Sequence, residues 1–255
     1  MKNIVVCYKW VADEVDIRIN EDLSVDFSKA KSKISDYDKN AIEAASRAAK
    51  SVGGKAIGLS FGSDEVKASF KDVLSRGLDE GVWVKASDAE KADGAVTARA
   101  LAAAIAKIED VAMVVCAEGS SDNYARQIAP RIGAILDWPV ITSVCGMEFD
   151  GNSFTTTRRM HDCMQTVKTE LPAVVAVLPE INPAPIPGLK AVMEARKKTI
   201  VEYSANELGI DLTPEVDVLE IKGYVSDRKK VILSGNTNGD KISNLLNALR
   251  KEGVL

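Results

Sequence analysis

Three places in this sequence put residues able to hold a phosphate or a sugar at what reads as the carboxyl end of a strand. They are Cys7-Tyr8-Lys9, Ser60-Phe61-Gly62 and residues 117–122. The third is the richest. Gly119-Ser120-Ser121-Asp122 leads into residues 123–136, which read as a helix. Free amides and the dipole at a helix start favour an anion, and the serine hydroxyls add donors. The same residues also fit a plain cap, in which Ser121 or Asp122 satisfies the helix start and no ligand is needed. Asp38 stands at the start of another helix. It is suited either to accepting from ribose hydroxyls or to capping.

Other chemistry is scarce. His161 is the single histidine, and it is followed directly by Asp162 and Cys163. Consecutive residues of a strand face opposite sides, so these three cannot form a triad among themselves. The expected reading is a surface hairpin. There is no Gly-x-Gly-x-x-Gly after a strand, no phosphate-binding lysine loop and no zinc-type spacing. Cys7, Cys116, Cys145 and Cys163 show no CxxC pattern, and Cys7 and Cys116 fall in expected core strands. The chain does not read as a self-contained enzyme.

Composition narrows the classes further. A hydrophobic content of 46% and a charged content of 27% are those of an ordinary globular chain. The net charge of −4 and 5% aromatic residues argue against a nucleic-acid binder. No apolar run is long enough to span a bilayer, so no membrane insertion is expected. Met1-Lys2-Asn3 runs straight into an apolar strand, and the cysteines look reduced. The expected location is cytoplasmic.

The elements that must position these residues alternate. Apolar runs at 4–8, 56–61, 82–85 and 111–116 read as strands. Between them, 38–51, a helix capped by Ser63 and stopped by Gly77, and 92–108 read as helices. This pattern predicts a doubly wound, mainly parallel α/β sheet. Residues 16–27 alternate and predict a small hairpin turning near Asn20-Glu21-Asp22. After Trp138-Pro139, residues 140–149, 153–159 and 164–169 read as strands, with a turn at Gly151-Asn152, and 173–178 returns to the core. Residues 199–203 read as a strand, 211–230 lack helical periodicity, and 241–255 carry one apolar stripe, Ile242, Leu245, Leu246 and Leu249. That last helix fits docking on its own domain or on a partner.

The stretch 171–198 stands apart. Pro179, Pro183, Pro185 and Pro187 are half of the chain's eight prolines. Proline fixes φ and removes a donor, so the loop is stiff and cannot join a sheet. Ile186 and Leu189 stand near its tip beside Gly188 and Lys190, and a basic run, Arg196-Lys197-Lys198, follows. One reading is a docking element. The other is a cross-over loop in which Leu189 starts a buried helix face.

This segment, Leu189-Lys190-Ala191-Val192-Met193 followed by the basic run, resembles the partner-recognition loop of electron-transfer flavoprotein β subunits. The resemblance extends over nearly the whole chain. NIVVCYKWV at 3–11 is similar to the first strand of that family, and ISDYDKNAIEAA at 34–45 to the start of its first helix. AEGSSDNYARQIAPRIGAILDWP at 117–139 resembles its nucleotide loop, and RRMHDCMQTVKTELPAVVAV at 158–177 its signature hairpin, with Arg159, Asp162, Gln165 and Pro172 in the matching places. DVLSRG at 72–77 and GSSDNYA at 119–125 look closest to the carnitine-pathway (Fix-type) branch. Two departures stand out. Ser35-Asp36 replaces the usual Asn-Pro, and Cys163-Met164 replaces glycines.

The resemblance implies an adenine-nucleotide-binding (HUP-like) fold with an added hairpin region and a C-terminal arm. It implies a nucleotide-binding unit over 1–198, with a recognition loop at 179–190, and an arm over 199–255 contacting an α subunit. Cys7, Asp38, Phe61, Asp122, Ala125, Gln127 and Ile128 fall where β subunits hold AMP or the adenosine end of a second FAD. Gly119, Ser120 and Ser121 join them from the reading above. The electron-carrying FAD would be shared with the α subunit. Ile186, Leu189, Lys190 and Met193 would meet a flavoprotein dehydrogenase of the acyl-CoA type. The Fix-type likeness admits electron bifurcation from NADH. A stand-alone adenine-nucleotide binder of the stress-response type is the alternative. An adenylating or thiolating enzyme comes third, since its pyrophosphate-binding motif is missing.

Overall fold

In the computed structural model, which describes residues 2–150, 153–225 and 228–255, the continuous apolar runs become inner strands of one sheet. The first half contains β1 (Asn3–Cys7), β2 (Trp10–Ala12), β3 (Arg18–Ile19), β4 (Val25–Asp26), β5 (Ser32–Ile34) and α1 (Asp36–Val52). It continues with β6 (Ala56–Gly62), α2 (Phe70–Val73), β7 (Glu80–Lys85), α3 (Gly94–Ile105), β8 (Val111–Ala117) and α4 (Ile128–Leu136). The second half adds β9 (Val140–Asp150), β10 (Ser153–Arg159), β11 (Met164–Glu170), β12 (Ala173–Val177), α5 (Leu189–Ala195), β13 (Ile200–Ser204) and α6 (Asn238–Lys251).

Among the described residues, nine strands form one sheet in the order β11-β10-β9-β12-β8-β1-β6-β7-β13. From β9 to β13 all pairs are parallel, while β10 runs antiparallel to β9 and β11. The period-2 rule divides β1 between two cores. Ile4 and Val6 face a cluster with Ala41, Ala45 and Ala48 of α1, Phe70 of α2 and Ala195 of α5. Val5 and Cys7 face Ala98, Leu101 and Ile105 of α3 and Ala129 and Ile132 of α4. Helices therefore cover both faces, as a doubly wound α/β fold requires. The alanines of α1 matter because small side chains let the helix lie close to the strands.

Two local expectations change. Ser63 makes no side-chain cap, and the helix after it is largely 3-10: Asp64–Ser69 and Leu74–Arg76 flank a single α turn. Gly77 does end it, at φ +93. The helix expected from Asn123 starts only at Ile128. Pro130 gives the reason. Its ring excludes a helical carbonyl four residues back and it lacks an N–H, so it sits in a first turn and not mid-helix. The expected turn at Gly151-Asn152 lies outside the described residues. The hairpin at 16–27 is present in short form, as β3 paired with β4.

β13 pairs with β7, so the main sheet takes in a strand beyond Lys198. After it the chain follows α3. The amide of Glu215 donates to Asp93 Oδ2 at 2.7 Å, and Arg99 Nη2 donates to the carbonyls of Asp211 and Thr213. Beyond, Leu219, Tyr224 and Ile232 are exposed, and α6 has no buried residue despite a complete capping box between Thr237 and Asp240.

Candidate functional site

From β1 the chain moves outward to β6 and β7, then crosses to β8 on the other side. Strand order thus reverses between β1 and β8, the position at which the loops of open α/β sheets diverge and ligands bind in a crevice beyond the carboxyl ends. Cys7, Lys9 and residues 117–122 lie at that point. Phe61 lies near the end of the neighbouring β6, half-buried against the α3/α4 side of the core.

The contacts around the crevice join three segments. The Lys9 ammonium pairs with the Asp122 carboxylate, and the Ser120 hydroxyl donates to the same carboxylate. The Lys9 amide donates to Asp38 Oδ2 at 2.8 Å. The Ser121 amide donates to the Ser35 hydroxyl at 3.2 Å. Ser35 is fully buried, and it ties the loop after β8 to the start of α1. The sequence showed this position only as a departure from a family pattern. A small polar residue just before a helix was the available signal.

Asp38 is buried, and it is the third residue of α1 and does not cap it. Burial pushes its carboxyl up to about 7, against the Lys9 amide and Ser35, which favour the charged form. Asp122 goes the other way. Its partial burial opposes ionisation, but the Lys9 and Ser120 bonds hold it below the usual carboxylate range. Cys7 is raised by its hydrogen bond with Cys116 and by burial, as befits an inert thiol.

The loop between β8 and α4 has a shape the sequence did not disclose. Tyr124 and Arg126 both adopt positive φ, 47° and 58°. The Tyr124 ring lies 5.0 Å from that of Tyr37, and the Arg126 guanidinium stacks on it at 4.7 Å. A Cβ on Gly119 would stand 2.6 Å from the Tyr124 ring, so only glycine admits this packing. Two features are left open. Neither Ser121 nor Asp122 caps α4; its N-cap is Gln127, which makes no side-chain cap bond. The Ser121 hydroxyl oxygen is buried without a hydrogen-bond partner. A buried orphan oxygen and uncapped helix amides are groups that a phosphate or a ribose could satisfy. Ile128 is half-buried at the start of α4, while Ala125 and Gln127 are exposed beside it.

Glu118 follows β8 but serves the fold. It is buried and accepts the Ser143 amide at 2.8 Å, where β9 loses regular register against β12. His161 and Cys163 are exposed on the hairpin between β10 and β11. Trp10 pairs with Ile34 across β2 and β5, and Trp138 packs against the α3/α4 core.

The proline-rich segment does not place Leu189 on a buried helix face. Leu189 is 80% exposed and Ile186 93%, so neither begins a buried face. The residue that seats α5 is Ala195. Met193 is exposed on the same helix, and the Lys190 ammonium stands 3.9 Å from Glu194, almost wholly in solvent. All four side chains are exposed, and none takes part in the crevice contacts.

The model of the electron transfer flavoprotein domain matches residues 22–208. That span contains α1, the loop after β8, the hairpin and the proline-rich segment. The chain belongs to the electron transfer flavoprotein domain family.

Proposed function

We propose that this chain is the β-type subunit of a heterodimeric electron-transfer flavoprotein, holding AMP or a second FAD in the crevice between β1 and β8. The observation that carries this reading is the partnerless Ser121 oxygen in the loop that leads from the switch point of the sheet to the uncapped start of α4. Ser121 and the first amides of α4 would hold the phosphate, and Asp38 would meet the ribose hydroxyls. Lys9 would trade part of its pairing with Asp122 for the anion. FAD shared with an α subunit would supply the electron-accepting ring. The residues here bind, orient and exclude water. Ile186, Leu189, Lys190 and Met193 would form the face offered to a flavoprotein dehydrogenase. Bifurcation from NADH belongs to the case in which the second ligand is FAD. The exposed apolar side chains of α6 and of Leu219, Tyr224 and Ile232 argue for an α-subunit partner and against a stand-alone nucleotide binder.

The test is extraction. The complex with an α subunit is purified, denatured, and its nucleotides identified and counted. The expected result is one AMP or FAD per β-type chain, beyond the shared FAD. Ser121→Glu places a negative charge where the phosphate should sit and should lower that occupancy to a small fraction. Full occupancy in the variant would mean that the phosphate lies elsewhere.

A further inference from the structure

Something must hold the loop under the exposed anchors. Pro183, Pro185 and Pro187 offer no backbone donors, so the loop has few amides with which to knit itself together. Side chains from two other elements do the work. On one flank, Asn40 of α1 and Asn182 exchange hydrogen bonds. Asn40 Nδ2 donates to the Asn182 carbonyl at 2.7 Å, and Asn182 Nδ2 donates to the Asn40 carbonyl at 3.1 Å. Asn182 is buried, and α1 is seated by its alanine face, so Asn40 is a fixed point. On the other flank Arg76 lies with its guanidinium half-buried. Its Nε donates to Asp72 Oδ1 at 2.9 Å and its Nη1 reaches the Pro185 carbonyl at 3.5 Å. Farther on, Lys198 Nζ donates to the carbonyls of Leu74 and Leu78 at 3.0 and 2.5 Å, closing the end of α5 onto the same turn. The backbone is held at Asn182 and, by a long contact, at Pro185 before Ile186, and by Lys198 after Met193, while those side chains touch solvent.

We propose that Asn40 and Arg76 are positioning residues for partner docking. They hold the loop backbone so that Ile186, Leu189 and Met193 are presented together before the partner arrives. The proposal rests on the docking reading above. Its physical content is pre-organisation: without these pins, the loop must be ordered at the moment of binding, and affinity falls by that cost. Neither residue lies in the nucleotide crevice or in the exposed face itself.

The test uses the α–β complex and a purified acyl-CoA dehydrogenase as the electron donor. Four variants are compared: Arg76→Met, Arg76→Lys, Asn40→Ala and Leu189→Ala. The readouts are KM and kcat for reduction by the dehydrogenase, amide exchange over residues 184–191, extracted nucleotide and melting temperature. Arg76→Met and Asn40→Ala should each raise KM by about fivefold with kcat unchanged. Exchange in 184–191 should speed up, nucleotide content should stay at the wild-type level, and Arg76→Lys should fall between wild type and Arg76→Met. If one variant does not fold, the other still decides. If Leu189→Ala raises KM and the pin variants do not, the positioning proposal is wrong and the docking reading stands. If Leu189→Ala leaves KM unchanged as well, both fall. A KM that worsens only in step with a lowered melting temperature would mark Arg76 and Asn40 as fold residues and overturn the proposal.

Discussion

At the residue scale, the unusual group is Asp38. Its carboxyl is buried, and that burial outweighs the Lys9 amide and Ser35 and pushes its pKa up to about 7. The folded chain therefore favours the protonated form. Asp38 contributes stability in full below the ordinary carboxylate value, and that contribution is lost as pH rises through about 7. A shift of this size corresponds to about 4 kcal/mol at most, at about 1.4 kcal/mol per pH unit. Asp38→Asn keeps an oxygen for the Lys9 amide and removes the titration. Denaturant melts of both proteins between pH 5 and 8 should show wild type losing stability relative to Asp38→Asn as pH rises. Parallel curves would place the charge burden on another group. Depressed carboxylates such as Asp122 work in the opposite window, losing their contribution as pH falls below the ordinary value, so they do not imitate this slope.

At the element scale, the segment from Pro179 through α5 separates fold from contact. Ala195 is buried and seats the helix, while Leu189 is exposed and seats nothing. Leu189→Ala should leave the melting temperature and bound nucleotide essentially unchanged. It should weaken docking to a flavoprotein dehydrogenase by roughly 2 kcal/mol, about 30-fold in dissociation constant. Titration calorimetry or steady-state reduction measures this. A strongly lowered melting temperature with normal partner kinetics would assign Leu189 to the fold. The loop between β8 and α4 carries the contrasting lesson. Pro130 marked where α4 had to begin, and that signal was legible in the sequence. The positive φ of Tyr124 and Arg126 was not, because no local preference of those residues asks for it. In this conformation the Tyr124 ring packs on Tyr37, which comes from a distant part of the chain.

At the scale of the whole molecule, the sheet is complete without the last helix. No residue of α6 is buried, and Ile242, Leu245 and Leu246 present apolar surface to solvent. Deleting residues 240–255 should shift the melting temperature by no more than about 2 °C, the effect of a few tenths of a kcal/mol. Association with an α subunit, followed by sedimentation or co-purification, should be lost or strongly weakened. Unchanged affinity would remove the arm from the interface. What the sequence by itself determined was the alternation of strand and helix, the continuous apolar run of β1, the single histidine and the stiffness of the proline loop. These follow from periodicity, composition and φ restriction, all of which are local. Only the tertiary structure decided which side chains meet. Ser35 reaches Ser121 across 86 positions, Asn40 reaches Asn182 across 142, and Ser121 is left with a buried oxygen and no partner. Such meetings depend on strand order, and strand order is fixed by how the two helical layers cover the sheet, which no single stretch of sequence records.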